Sequence, residues 1–262
     1  MGPPLGGVLI AVSVPLALAS SAVGFAVAAG GLMLLHGSFR AQRSERTSIL
    51  GDIREGLGYL LGDRFLRTLA IMVGVMNLAS SAIFAVLVLY VIEPGPMGLS
   101  ELGYGLLLTS WAVGAIAGSL IEERVERWVG RANVLLGCVV ITGLAIAIPA
   151  LTTDVALVAV SFFLGSVLGT MWNVITVSLR QRITPDHLLG RVNAGYRLFA
   201  WGTMPIGALL GGAVAEAFGL QAVFILGAAM TLGLVVLGPL ISEQAIREAE
   251  ARAIPDAAAR PA

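Results

Sequence analysis

Asn77, Ser80 and Ser81 sit inside one long apolar run of the chain. Thr109, Ser110 and Trp111 sit inside a second, and Trp172, Asn173 and Thr176 inside a third. Amides, hydroxyls and an indole hold molecules by hydrogen bonds and stacking. In hydrocarbon such groups need partners, so each faces either a cavity or a neighbouring helix. Covalent chemistry has no footing here. The sequence contains no His/Glu/Asp cluster with metal-ligand spacing, no Ser–His pairing and no Gly-rich phosphate loop. An intramembrane enzyme is therefore disfavoured, and no catalytic residue, metal or cofactor is expected. No Asp or Glu falls in the middle of an apolar run, so this chain offers no buried proton carrier. His36 stands at the end of a run and His187 in a polar loop beside arginines, where both read as solvated. Cys138 is the single cysteine and lies in an apolar run, a small buried hydrophobe with no disulfide to make.

The elements that must position these side chains follow from composition. Of 262 residues, 57% are hydrophobic and only 12% charged, and mean hydropathy is +0.92. Soluble domains carry about 25% charged residues, so lipid must solvate much of this surface. Apolar runs of the length that crosses a bilayer, about 20 residues, recur at 16–36, 68–91, 102–121, 132–150, 155–178, 192–215 and 219–241. They lack the strict alternation of outer-membrane strands. Each is predicted to be a helix, because backbone amides in hydrocarbon must be satisfied within their own segment. The balance of 16 basic and 16 acidic residues gives no sign of nucleic-acid binding.

All 16 basic residues are arginine, and they alternate by loop. Arg40, Arg43, Arg46, Arg54, Arg64 and Arg67 share the connection 37–67. Arg124, Arg127 and Arg131 share a second, Arg180, Arg182 and Arg191 a third, and Arg247, Arg252 and Arg260 the tail. The intervening loops hold Glu93, Glu101, Asp154 and Glu216 but no base. The positive-inside rule then puts the arginine loops and the C-terminus in the cytoplasm.

Within 37–67, Ser48 is placed to cap a helix in which Ile49, Ile53, Leu57, Leu60 and Leu61 recur at helical spacing, with Asp52, Arg54 and Glu55 opposite. It reads as an amphipathic helix on the cytoplasmic face. Thr184 is expected as an N-cap with Pro185 in the first helical position, starting a short helix between two spans. Residues 243–262 read as a charged helix that ends in a frayed tail. The chain also repeats itself: Gly2, Pro3, Gly6 and Gly7 parallel Gly207, Gly211 and Gly212 at an offset of 205 residues, each copy followed by an apolar span. Small residues at i and i+4 let helices approach closely. The dozen residues before Val14 are too few to cross a bilayer at about 1.5 Å per residue. The repeat therefore implies half a helix, a turn and a full helix, with the chain starting in mid-helix and an N-terminal portion absent.

The run Gln181-Arg182-Ile183-Thr184-Pro185-Asp186, followed by Gly190-Arg191-Val192, Tyr196-Arg197, Trp201-Gly202 and Met204-Pro205-Ile206-Gly207-Ala208, resembles the major facilitator superfamily. The similarity is to the branch containing the enterobactin exporter and macrolide efflux proteins, at the loop between its tenth and eleventh helices. Gly118, Glu122, Glu123, Arg124, Gly130 and Arg131 resemble a degenerate copy of the superfamily's cytoplasmic loop motif, without the usual Asp. Gly2-Pro3 and Gly6-Gly7 look like the end of the Gly-Pro motif of the fifth helix.

The resemblance implies an all-α polytopic membrane protein: the six-helix C-terminal bundle of that fold plus about one and a half helices of the N-terminal bundle. Residues 1–36 would be the end of the N-terminal bundle, 37–67 the central cytoplasmic loop, 68–242 the C-terminal bundle and 243–262 the tail. It also implies that helices seven, eight, ten and eleven face a central cavity. Asn77, Ser80, Ser81, Thr109, Trp172, Asn173 and Thr176 are then the cavity candidates, with Trp172-Asn173 foremost. Trp111 and Trp201 read alternatively as interfacial anchors. Gly118, Glu122, Arg124, Gly130 and Arg131 would form a cytoplasmic charge latch, and Arg182, Asp186 and Arg191 would belong with them to the conformational loop motif.

The expected activity is efflux of a drug-like or siderophore-like small molecule by a proton-coupled antiporter in a bacterial inner membrane, with its titrating carboxylate elsewhere. The alternative is a non-transporting component, either half of a split transporter that partners a separate N-terminal half, or a decayed fragment. Residues 1–262 alone in liposomes are expected not to transport. The partners expected in every case are the lipid bilayer and a small molecule.

Overall fold

The computed structural model describes residues 14–34 and 49–258, which belong to two compact units divided between Ser48 and Ile49. The first unit's described part is one helix, α1 (Val14–Met33), with Pro15 in its first turn. Its 20 residues, VPLALASSAVGFAVAAGGLM, carry no charge, and at about 1.5 Å per residue they match a hydrocarbon layer. The first copy of the repeat, Gly2, Pro3, Gly6 and Gly7, lies outside the described residues, as does Ser48.

The second unit holds α2 (Ile49–Gly62), α3 (Arg64–Val91), α4 (Glu101–Val129), α5 (Arg131–Leu151), α6 (Val155–Ile183), α7 (Asp186–Phe218), α8 (Leu220–Gly233, extended as a 3-10 helix over Leu234–Ile241) and α9 (Glu243–Ala258). Six of these, α3 through α8 with its extension, are long and apolar enough to cross a membrane. The protein is an all-α polytopic bundle.

Local chemistry sets the helix ends. Asp63 caps α3 by accepting the Leu66 N–H at 2.8 Å, and Asp154 caps α6 through the Leu157 N–H at 2.9 Å. Ser100 caps α4 through the Gly103 N–H at 3.3 Å. Gly130 (φ +86°) and Gly219 (φ +87°) each end one helix and begin the next. A left-handed backbone turns the chain there within a single residue, which a side chain would resist.

Two helix pairs meet backbone to backbone. α3 packs most extensively on α7, where a Cβ added at Gly207 or Gly211 would lie 2.3 Å from the carbonyl oxygen of Leu78 or Ala82. α4 packs on α6 in the same way: Cβ atoms at Gly114 and Gly118 would meet the Phe163 and Val167 carbonyls at 2.4 and 2.5 Å. Both are small residues at i and i+4, the pattern that brings membrane helices together. Gly212 differs. It is one residue further round α7 and exposed, and nothing among the described residues lies within 4 Å of its Cβ direction.

Two apolar clusters fill the bundle. One, at the arginine-rich end, joins Leu60, Phe65, Leu66, Met72, Leu135, Trp172, Leu179, Ile241 and Ile246. The other, at the far end, joins Val86, Tyr90, Leu107, Phe162 and Phe224. Large apolar side chains such as Leu89, Leu102, Leu120, Leu144, Leu209 and Val236 point outward, the surface that lipid solvates.

One expectation needs correction. Thr184 is the C-cap of α6, its N–H bonded to the Arg180 carbonyl at 3.0 Å, and the helix after Pro185 runs unbroken into the next span as α7. The break is real, but its length is two residues because Pro185 cannot continue α6. The charged helix expected from 243 is present as α9, which buries Ile246 and Ala249 against the core, and residues 259–262 lie outside the described residues. The amphipathic helix is present as α2, and it packs one face on α7. Gly56 touches the Arg191 backbone, Gly195 touches Leu57, and Leu60 is fully buried, while Leu61 faces outward.

Candidate functional site

A cavity of about 400 Å³ opens inside the second unit, walled by α3, α4, α5, α6 and Phe224 of α8. On α3 the wall is the stripe Val73, Asn77, Ser80 and Phe84. On α6 it is Gly165, Gly169 and Asn173 together with Ser161, Ser166, Thr170 and Trp172. Spacings of three and four residues align such positions on one helix face. Gly165 and Gly169 keep the space open. A Cβ on Gly165 would come 3.7 Å from the Trp111 ring, and one on Gly169 would meet nothing within 4 Å.

The wall is aromatic and neutral. Trp111 meets Phe84 edge-to-face at 5.5 Å and Phe162 at 6.0 Å. Asn77 donates from Nδ2 to the Ala200 carbonyl at 2.9 Å, which ties α3 to α7 and turns the amide oxygen elsewhere. Ser161 bonds back to the Val158 carbonyl at 2.8 Å. Among the described residues no charged side chain lines the cavity. Two buried polar atoms on wall residues, Trp172 Nε1 and Thr142 Oγ1, have no partner among the described residues.

Of the seven cavity candidates, Asn77, Ser80, Trp172 and Asn173 stand on this wall and Ser81, Thr109 and Thr176 do not. Ser81 is about 100° round α3 from Ser80. Thr109 bonds to the Gly105 carbonyl one turn back at 2.8 Å, and Thr176 to the Trp172 carbonyl at 2.7 Å, with Tyr196 of α7 also bonded to the Thr176 hydroxyl. The cavity also departs from the four helices the resemblance implied. α7 contributes nothing to it, and α5 contributes Thr142, Ala145, Ile146 and Pro149. Thr142 was a findable polar residue in an apolar run, as were Ser161, Ser166 and Thr170. Trp111, read as a possible interfacial anchor, belongs to the wall.

The second constellation is at the arginine-rich end. Arg131, first residue of α5, holds Glu126 of α4 at 2.6 Å and Glu250 of α9 at 2.9 Å. Arg182 lies 3.7 Å from the same Glu250. Glu243 accepts the Ala132 N–H at 2.8 Å, capping α5 where Gly130 brings no side chain of its own. Glu122 is buried beside this group, Arg124 is exposed, and Asp186 is exposed in the first turn of α7. Gly118 is not loop but a packing glycine in α4. Arg191 grips Asp52 at 2.8 Å and Glu55 at 2.9 Å, fastening α2 to α7. Arg180, itself buried, donates to Asn193 Oδ1 at 2.7 Å and lies 3.9 Å above the Tyr196 ring.

Compared with known proteins, residues 1–260 match the family described as transmembrane secretion effector. The chain is 28% identical over 250 residues to the multidrug efflux pump Tap of Mycolicibacterium fortuitum, covering 91% of this chain and 58% of the relative. It is 27% identical over 250 residues to the pump of the same name from Mycobacterium tuberculosis H37Rv, covering 91% of this chain and 56% of that one. The chain thus spans a little over half the length of the curated relatives it matches.

Proposed function

The chain belongs to the transmembrane secretion effector family, an efflux branch of the major facilitator superfamily, and from that premise we propose that it carries the substrate-binding bundle of an efflux permease for small, largely apolar molecules. The observation that carries this reading is the neutral cavity between α3, α4, α5 and α6, in which Asn77, Ser80, Trp172 and Asn173 offer hydrogen bonds within an aromatic wall. A partly apolar molecule entering it exchanges water or lipid for ring contacts, and the few polar groups orient it. Alternating access requires this bundle to rock against a second one. The names of the relatives, multidrug efflux pumps, support the same activity class.

The arginine-rich end is the cytoplasmic end, and the membrane is a bacterial inner membrane. This assignment rests on the alternation of arginine with loop number. There Arg131, Glu126, Glu250, Arg182 and Glu243 act as a latch that holds α4, α5, α6 and α9 together in one conformation. Proton coupling rests on the family resemblance alone, and no acidic side chain sits mid-span in α3 through α8 to carry the proton there.

Gene deletion in the host bacterium tests the activity. Cells lacking the protein should accumulate more of the uncharged dye Nile red than the parent strain, restoration of the gene should lower accumulation, and a protonophore should erase the difference. Accumulation that is the same with and without the gene would refute the efflux reading and favour a non-transporting component.

A further inference from the structure

Resting on that reading of the cavity as a small-molecule site, we propose that its inner part is a subsite for an uncharged ring system bearing a hydrogen-bond acceptor. Three observations select this chemistry. Trp172 is 3% exposed and lines the cavity, yet its Nε1 has no partner among the described residues. An indole N–H can only donate, so its complement is an acceptor such as a carbonyl, an ether oxygen or a ring nitrogen. Thr142 Oγ1, on the facing wall helix α5, is buried and equally unpartnered, and a hydroxyl can serve either way. Buried polar atoms left unsatisfied are costly, so a ligand that satisfies them is selected over one that does not.

The absence of charged side chains from the described wall decides the ligand's charge. An ion moved into an apolar pocket loses its hydration, and no counter-charge there replaces it. Gly165 leaves the edge of the Trp111 ring uncovered, and the aromatic wall of Trp111, Phe84 and Phe162 then favours a ring. Two rival occupants make different demands. A bound water could satisfy Trp172 and Thr142 together, and would leave ligand affinity independent of the indole N–H. An organic cation could sit over the Trp111 or Phe84 face and would bind better than its neutral counterpart.

The test uses the purified full chain in lipid nanodiscs, with empty nanodiscs subtracted, and four two-ring probes in equilibrium dialysis. These are coumarin, its 3-carboxylate, its trimethylammonium derivative, and naphthalene as the ring without an acceptor. Gly165→Leu, which fills the gap beside Trp111, identifies binding that belongs to the cavity. Coumarin should bind in a manner Gly165→Leu abolishes, and both charged analogues should bind at least about tenfold more weakly. Trp172→Phe, which keeps a ring but removes the donor, should weaken coumarin roughly tenfold, the effect of one buried hydrogen bond, and leave naphthalene unchanged. Thr142→Val should leave naphthalene unchanged as well.

Cavity binding in which the charged analogues match or exceed coumarin, or in which Trp172→Phe leaves coumarin unaltered, overturns the neutral-acceptor subsite alone. If no probe binds in a Gly165→Leu-sensitive way while the variants remain folded, the small-molecule reading of the cavity falls with it.

Discussion

The contact between α3 and α7 makes a sharp prediction, because two neighbouring glycines on one helix face opposite fates. A Cβ on Gly211 would stand 2.3 Å from the Ala82 carbonyl oxygen, whereas ordinary contact begins near 3.4 Å. Backbone cannot swing aside as a side chain can, so Gly211→Ala must push the helices apart by about 1 Å over that turn. Overpacking of this kind costs about 1–3 kcal/mol. Gly212→Ala meets nothing within 4 Å. Both substitutions gain the same helix propensity, about 1 kcal/mol in aqueous hosts, so their difference isolates the steric term.

The chain supplies its own reporter. Cys138 is the single cysteine and is 1% exposed, so a maleimide dye labels it only on unfolding. Heated in detergent with such a dye, Gly211→Ala should melt below Gly212→Ala by about 2–12 °C, taking roughly 2–4 °C per kcal/mol for a unit of this size. Equal melting temperatures, or a higher one for Gly211→Ala, would refute the claim that α3 and α7 meet backbone to backbone at this position.

Other perturbations address the arginine-rich end and the cavity. Arg131→Gln removes the cation shared by Glu126 and Glu250, a loss of about 1–2 kcal/mol for part-exposed charge-assisted bonds, and hydrogen exchange over α9 should quicken about tenfold. Arg191→Gln releases Asp52 and Glu55 together, so exchange protection over α2 should fall while that over α5 is unchanged. In the Nile red assay, Asn173→Ala should reduce export, whereas Thr109→Val, whose hydroxyl is bonded within its own helix, should leave it unchanged. Gly114→Ala, like Gly211→Ala, should lower the melting temperature, because its Cβ would meet the Phe163 carbonyl at 2.4 Å.

How much of this was legible in the sequence differs by feature. The spans were, because length and apolarity are properties of one segment and need no partner: the run read at 132–150 is helix Arg131–Leu151, and that at 155–178 is the membrane part of Val155–Ile183. The i, i+4 pair Gly207 and Gly211 was legible for the same reason. Helix facing was not. In water a helix shows its buried side by apolar periodicity, but here lipid and core are both apolar, so α6 reads alike all round. That is why Thr176 reads like Asn173, although three residues of rotation carry it off the cavity wall. It is also why Thr142 was passed over.

The sequence by itself determined that this chain is a bundle of membrane helices with its arginines gathered in alternate connections, because hydropathy and loop charge are local and additive along the chain. The tertiary structure decided which side chains share a wall, that α9 is clasped through Glu243 and Glu250 to the start of α5, and that Trp172 and Thr142 both stand on the wall of one neutral cavity. Those outcomes depend on how far each helix is rotated, which is set by backbone contact at Gly114, Gly118, Gly207 and Gly211 with carbonyls of other helices. No single segment contains that information.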